Sequence, residues 1–153
     1  RRWKVVSKFG RVMDPFADKV LVMGGFIMLA GPRFNIEIPN FPPLQVSGIH
    51  PWMVVVMLGR ELLVTSIRAV AEEDGKDFSA NWFGKVKMVV QACAIPAILI
   101  VLGITDAAPA TWGRLVIDLT AWTTLVVTVV SGIPYVARGV QLLGRASEGA
   151  HRS

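Results

Sequence analysis

Two aspartates, spaced one helical turn apart, are the first residues in this chain whose types suggest chemistry. Asp14 and Asp18 stand four positions apart in GRVMDPFADK, and residues i and i+4 share one face of an α-helix. Carboxylates spaced in this way can help to hold a hard divalent cation, which prefers oxygen ligands. Because Pro15 suits the first turn of a helix, both acids could instead lie at a helix N-terminus and only complement its dipole. The spacing alone leaves both interpretations open.

A second group of charges interrupts the apolar stretch VVVMLGRELLVTSIR. Arg60 and Arg68 lie about 80° apart around a helix, so both could border one cavity. Arginine binds phosphate well because its guanidinium fork is bidentate, which predicts a site for an anionic head group. Alternatively, Arg60 pairs with Glu61 or with another helix to lock the bundle, while Arg68 extends to the surface. Lys85 and Lys87 either join such a site or only flank a membrane segment on its basic side.

The elements that must position these charges are long apolar segments. Four such segments occur, at 15–31, 48–70, 86–105 and 112–137, and a bilayer core needs about 20 predominantly apolar residues per helix. The composition agrees, since 53% of the 153 residues are hydrophobic and only 18% are charged. The predicted fold is therefore all-α, a polytopic membrane helix bundle with four transmembrane helices in a single membrane domain over residues 1–153.

Basic residues concentrate at alternate ends of the four segments. The start of the chain and the tail hold several basic residues and the 71–85 loop carries Lys76 and Lys85, whereas Arg33 is the only basic residue in the proline-rich 32–47 loop. The positive-inside rule then places the start, the 71–85 loop and the tail in the cytoplasm. The net charge of +5 is interpreted as attraction to an anionic membrane surface, and no nucleic-acid partner is expected.

The remaining candidate residues have simpler interpretations. Cys93 is the only cysteine, which excludes a disulfide scaffold, and we expect it to be a small buried hydrophobe. Asp118 is expected at a membrane interface or in helix pairing. His50 and His151 have no third ligand nearby, so no zinc site is predicted. The chain opens on Arg1 without a start methionine, which suggests a piece of a longer protein.

The segment from Arg1 to Asp18 resembles the second half of the CDP-alcohol phosphatidyltransferase signature, D-x2-D-G-x2-A-R-x8-G-x3-D-x3-D. Arg1 occupies the arginine position, Gly10 the glycine position, and Asp14 and Asp18 the last two aspartate positions. Farther on, GRELLVTSIR and GKVKMVVQ are similar to the phosphatidylglycerophosphate synthase branch, although that branch usually has threonine where this chain has Met88. The resemblance extends over the whole chain. It implies six membrane helices in an intact family member, the first two of them upstream of Arg1.

The resemblance also implies a reaction, the transfer of a phosphatidyl group from CDP-diacylglycerol to sn-glycerol 3-phosphate with release of CMP. It implies that Asp14 and Asp18 bind a divalent metal, Mg²⁺ or Mn²⁺, and that Asp18 acts as general base on the acceptor hydroxyl. Arg1 and Gly10 would lie against the nucleotide. The acceptor phosphate would be bound by Arg60, Arg68, Lys85 and Lys87.

Further expectations concern the assembly and the membrane. The resemblance implies a homodimer, and a bacterial inner membrane suits it, with a site open to both the cytoplasm and the lipid bilayer. The 153 residues alone are predicted to be inactive, because two of the four motif aspartates do not occur in them. Two other functions stay open. One is the same chemistry with inositol phosphate, serine or phosphatidylglycerol as acceptor, and the other is a non-enzymatic bundle or transporter.

Overall fold

Four long helices form most of the protein. The computed structural model describes residues 8–37, 39–40, 42–73, 82–105 and 112–140. The helices are α1 (Lys8–Leu29), α2 (Pro51–Glu73), α3 (Trp82–Ile104) and α4 (Trp112–Val130). After a turn at 131–132, the chain is helical again over 133–140. The predicted helical fold is confirmed over the described residues, apart from a small hairpin between α1 and α2.

Helix α1 begins earlier than the sequence predicted. It is helical from Lys8, the first described residue, so Pro15 lies in its interior and not in its first turn. Asp14 and Asp18 therefore lie six and ten residues into the helix. The effect of the helix dipole fades within the first turn, so the interpretation of these acids as dipole partners is wrong.

Two stretches are long and apolar enough to cross a membrane. They are Gly84–Ile104, with a mean hydropathy of 2.1, and Trp112–Val140, with a mean hydropathy of 1.7. The bundle buries only 22% of the first and 39% of the second, whereas the core helix of a soluble protein is mostly buried. Most residues in these two stretches are thus not buried by the rest of the bundle, as in a helix that contacts lipid.

The central core lies in the half of the bundle where α1 and α3 end and α2 and α4 begin. Each helix contributes to one cluster of buried side chains, which includes Phe26, Met57, Ile98 and Ile117, each no more than 1% exposed. Close approach of the helices depends on glycine. A Cβ atom on Gly25 of α1 would lie 2.7 Å from Cδ1 of Ile95 in α3, so α1 and α3 meet where a side chain is missing.

The loop between α1 and α2 is folded back onto the bundle. After a 3₁₀ turn at Pro32–Phe34, strands β1 (Asn35–Ile36) and β2 (Leu44–Gln45) pair antiparallel. Buried Gln45 and Ser47 both donate to the carbonyl oxygen of Leu29, at 2.8 and 2.6 Å. They satisfy a backbone group that the end of α1 leaves without a helical partner. The loop therefore does more than connect two helices.

A residue of α4 holds this loop from the other side. Arg114 Nη1 donates to the Gln45 carbonyl at 2.6 Å, and Arg114 Nε lies 2.9 Å from Asp118 Oδ2. Asp118 thus orients an arginine of its own helix. We refer to Gln45, Ser47, Arg114 and the Leu29 carbonyl as the loop clasp.

Cys93 corrects another expectation. Its side chain is exposed and not buried, and it borders a shallow groove between α3 and α4. It lies at the midpoint of α3. An apolar segment of a soluble protein turns its cysteine inward, but a membrane helix can turn it toward lipid at no solvation cost.

Candidate active site

A cavity of about 340 Å³ lies at the end of the bundle where α1 and α3 begin and α2 and α4 end. Its walls contain apolar residues such as Val22 and Val64, together with a concentration of charge. Five cations and two carboxylates line it, which leaves a surplus of three positive charges. The charged residues are Asp18, Lys19, Arg60, Glu61, Arg68, Lys85 and Lys87.

The structure brings together five of the eight residues that the sequence proposed for a site. Asp18 of α1, two arginines of α2 and two lysines of α3 all line the cavity, namely Arg60, Arg68, Lys85 and Lys87. Of the other three, Arg1 lies outside the described residues. Gly10 and Asp14 belong to α1, but their surroundings also fall outside the described part of the chain.

The Glu61 carboxylate contacts three cations in the cavity wall. Its Oε2 accepts a hydrogen bond from Lys87 Nζ and lies 3.2 Å from Arg60 Nη1. Its Oε1 lies 3.6 Å from Lys19 Nζ. The ion pair that the sequence offered as a structural alternative is therefore present, and it involves two further helices. These ion pairs do not exclude a role in a binding site. The carboxylate and its three cations all line the same cavity.

Arg60 crosses from α2 to the end of α4. Its Nη2 donates to Ser131 Oγ at 2.9 Å, in the turn that follows α4. A Cβ atom on Gly132 would lie 3.1 Å from Arg60 Cγ and 3.2 Å from its Nε. That Nε is buried and has no hydrogen-bond partner among the described residues. The Arg60 side chain can lie beside this turn because Gly132 has no side chain.

Tyr135 and Gln91 close the cavity on two further sides. Tyr135 is 3% exposed, and its ring centroid lies 5.9 Å from the guanidinium carbon of Arg68, a cation–π distance. Gln91 is also 3% exposed and donates to Thr128 Oγ1 at 3.0 Å. Tyr135, in the helix at 133–140, thus helps to orient Arg68 of α2.

Sequence reasoning gave no site role to Lys19 or Tyr135. Lys19 Nζ donates to Thr65 Oγ1 at 3.0 Å, and Thr65 in turn donates to the Glu61 carbonyl at 2.8 Å. A signal did exist for Lys19, because a charge at membrane depth requires a partner. No signal existed for Tyr135, since nothing in its local sequence shows that the helix at 133–140 borders the cavity.

The acids near the cavity are donors of the kind that hard cations prefer. Asp18 is exposed and borders the cavity, and the confirmed helix places Asp14 one turn before it. Among the described residues, no group of three or more histidine, cysteine, aspartate or glutamate side chains could hold a metal ion. Asp18 is thus the one aspartate in the described part of the chain that the structure places at the cavity, and further ligands of a divalent metal would have to come from elsewhere.

The chain matches the model of the CDP-alcohol phosphatidyltransferase family over residues 1–132. It belongs to that family, as its signature residues predicted, and the family together with the two apolar helices indicates a membrane protein.

Its relatives are more specific. The chain is 31% identical over 143 residues to a CDP-diacylglycerol–glycerol-3-phosphate 3-phosphatidyltransferase of Bacillus subtilis, covering 94% of this chain and 65% of that protein. It is 32% identical over 119 residues to a protein of the same name from Sodalis glossinidius, covering 71% and 57%. A probable phosphatidylglycerophosphate synthase of Mycobacterium tuberculosis is 30% identical over 144 residues, covering 94% and 58%. The chain thus spans less than two thirds of the length of these relatives. No solved structure matches it.

Proposed function

We propose that the protein containing this chain transfers a phosphatidyl group from CDP-diacylglycerol to sn-glycerol 3-phosphate, giving phosphatidylglycerophosphate and CMP. The observation that carries the proposal is the cavity, which combines the carboxylate of Asp18 with a surplus of three positive charges. The family and the printed names of the relatives support the same reaction.

The charge surplus supports a phosphorylated acceptor. Arg60, Arg68, Lys85 and Lys87 line one cavity, and charge-assisted hydrogen bonds from such groups are the strong ones available to a phosphate. A neutral acceptor such as inositol or the serine zwitterion would leave the net surplus of three positive charges in the cavity unbalanced. Binding of glycerol 3-phosphate offsets two of the three surplus charges.

Asp18 is proposed as the general base. Its carboxylate is exposed at the cavity, so it can accept the proton of an acceptor hydroxyl within hydrogen-bond reach. The hydroxyl oxygen then forms a bond to the phosphorus of the donor, the bond from that phosphorus to the CMP oxygen breaks, and CMP leaves. The cations around the cavity hold the acceptor so that its hydroxyl meets the phosphorus.

Asp14 and Asp18 are also proposed as ligands of a divalent metal, Mg²⁺ or Mn²⁺. When bound, such an ion neutralises charge that develops on the leaving CMP. Gly10 and Arg1 are proposed to lie near the nucleotide, as the family signature suggests. Because only two of the four signature aspartates occur in the 153 residues, we expect these residues alone to release no CMP.

The membrane arrangement is proposed to include all four helices. Besides α3 and α4, helices α1 and α2 turn large apolar side chains outward, among them Leu21, Met28, Val55 and Leu62, which are 74%, 68%, 69% and 60% exposed. We propose four spans in this chain and six in the intact protein, as a homodimer in a bacterial inner membrane. The cavity end would face the cytoplasm, where the water-soluble acceptor is available.

The test measures CMP release by protein expressed from the whole reading frame that encodes this chain. CDP-diacylglycerol and Mg²⁺ or Mn²⁺ are supplied, and glycerol 3-phosphate, serine, inositol and inositol phosphate are offered separately. We expect release with glycerol 3-phosphate alone. Release with another acceptor would keep the chemistry and overturn the acceptor assignment, and no release with any of them would favour a non-enzymatic bundle.

The matched variants are Asp18→Asn and Asp118→Asn. Loss of a general base lowers kcat by about 10²- to 10⁴-fold, so we expect Asp18→Asn to be nearly inactive. Asp118→Asn removes the same charge from a carboxylate in the loop clasp region, at the other end of the bundle. It should retain normal turnover, and equal losses in both variants would contradict the role of Asp18.

A further inference from the structure

Glu61 lies in the cavity wall, but the proposed reaction does not use it. Its carboxylate contacts one cation from each of three helices, namely Lys19 of α1, Arg60 of α2 and Lys87 of α3. Two of these cations belong to the set that is proposed to receive the acceptor phosphate. A carboxylate repels an anion, so the presence of Glu61 in a cavity that is proposed to bind a phosphate requires an explanation.

The two cations in question are largely removed from solvent. The side chain of Lys87 is 7% exposed and that of Arg60 is 10% exposed, so water screens their mutual repulsion poorly. Buried like charges stay close only when an opposite charge lies between them or beside them. Glu61 supplies that charge to both of them.

Other contacts fix Glu61 and its partners in place. Lys19 is held by Thr65 at 3.0 Å, and Thr65 is bonded to the Glu61 carbonyl at 2.8 Å. The far end of Arg60 is held by Ser131 at 2.9 Å. The network therefore ties one wall of the cavity to α1, α2, α3 and the turn after α4.

We propose that Glu61 is a positioning residue, whose carboxylate holds Arg60 and Lys87 in the arrangement that receives the acceptor phosphate. The proposal rests on the proposed function. Three cations around one carboxylate leave two positive charges unmatched, which equals the charge of a phosphate monoester dianion. The phosphate then meets cations whose spacing is already fixed, so little ordering is left to do on binding.

Two roles for Glu61 predict opposite results for Glu61→Gln. If Glu61 only offsets positive charge, its loss makes the cavity more positive and lowers the KM for glycerol 3-phosphate. If it positions the cations, its loss lets Arg60 and Lys87 move apart. Displacement of binding groups by about 1 Å can cost on the order of a hundredfold, so we expect that KM to rise about ten- to hundredfold.

The experiment measures KM for both substrates by CMP release, using protein expressed from the whole reading frame. For Glu61→Gln, the KM for CDP-diacylglycerol should stay within about twofold of wild type, because only uniform binding of the acceptor is lost. Glu61→Asp keeps the charge on a shorter side chain and should fall between wild type and Glu61→Gln. Asp118→Asn is the charge-matched control and should behave as wild type.

A double variant keeps the test independent of folding losses. If Glu61 acts through Lys87, then Lys87→Met raises the acceptor KM much less in the Glu61→Gln background than in wild type. Additive effects, or a lower or unchanged KM in Glu61→Gln, would overturn the positioning role alone. Failure of wild type to release CMP with glycerol 3-phosphate would overturn the proposed function, and with it this inference.

Discussion

Arg60 is held by three neighbours of different kinds. Glu61 binds one end of its guanidinium group at 3.2 Å, Ser131 binds the other at 2.9 Å, and Gly132 leaves room for the side chain to pass. A bidentate group recognises phosphate only in the right orientation. Its alignment therefore depends on a glycine that touches no substrate in the proposed reaction.

Gly132→Ala tests this dependence. The added methyl group would lie 3.1 Å from Arg60 Cγ and 3.2 Å from the Val129 carbonyl oxygen, so we expect the arginine to shift. The KM for glycerol 3-phosphate should rise by about three- to tenfold, with little change in the KM for CDP-diacylglycerol. Gly103→Ala is the control, because a Cβ atom there meets nothing within 4 Å. An unchanged acceptor KM in Gly132→Ala would show that the turn tolerates a methyl group.

At the scale of the elements, adjacent glycines on α1 have different surroundings. A Cβ atom on Gly25 would lie 2.7 Å from Cδ1 of Ile95, whereas one on Gly24 would meet nothing within 4 Å. Small residues let membrane helices approach closely, and here the approach joins α1 to α3. That contact helps to hold α1, which carries Asp18, beside α3, which carries Lys85 and Lys87.

Gly25→Leu should therefore destabilise the bundle while Gly24→Leu does not. Overpacking costs about 1–3 kcal/mol, and each kcal/mol lowers Tm by roughly 2–4 °C for a protein of about 150–250 residues. We expect the Tm of the detergent-solubilised protein to fall by several degrees in Gly25→Leu only. Equal Tm values for both variants would mean that α3 can move away from α1 without loss.

The sequence predicted where the helices lie along the chain better than which helices pack against each other. Apolar length predicted helices close to α2, α3 and α4 as the structure has them, because long apolar runs favour helices. It placed the start of α1 wrongly, since Pro15 is typical of a first helical turn but here lies inside the helix. It identified Arg60, Arg68 and Asp18 by charge at depth, but could not pair Glu61 with Lys19 and Lys87. An ion pair between two helices depends on which helices are adjacent. The sequence of a single chain does not show which helices those are.

At the scale of the whole molecule, the two ends of the bundle differ. One end is closed by the loop clasp, in which Gln45, Ser47 and Arg114 bond directly to backbone carbonyls. The other end contains the charged cavity. This asymmetry agrees with the proposed orientation, in which a soluble acceptor enters from one side only.

Thiol labelling tests the proposed spans. Cys93 is exposed at the midpoint of α3, and a charged reagent does not enter the hydrocarbon core of a bilayer. In a version without other cysteines, a membrane-impermeant maleimide should label Cys93 only after the membrane is dissolved in SDS. The matched reporter is Asn40→Cys in a Cys93→Ala background, because exposed Asn40 lies in the loop proposed to be external. It should be labelled in intact cells, and rapid labelling of Cys93 there would contradict the span.

The central core has a consequence for the membrane itself. Phe26, Met57 and Ile98 are at most 1% exposed, and they fill the bundle between the cavity and the loop clasp. A hydrated, charged recess deep in a bilayer would leak protons if it continued to the far side. In the proposed membrane arrangement this recess ends against an apolar layer, so the proposed reaction could take place inside an energised membrane without dissipating the gradient across it.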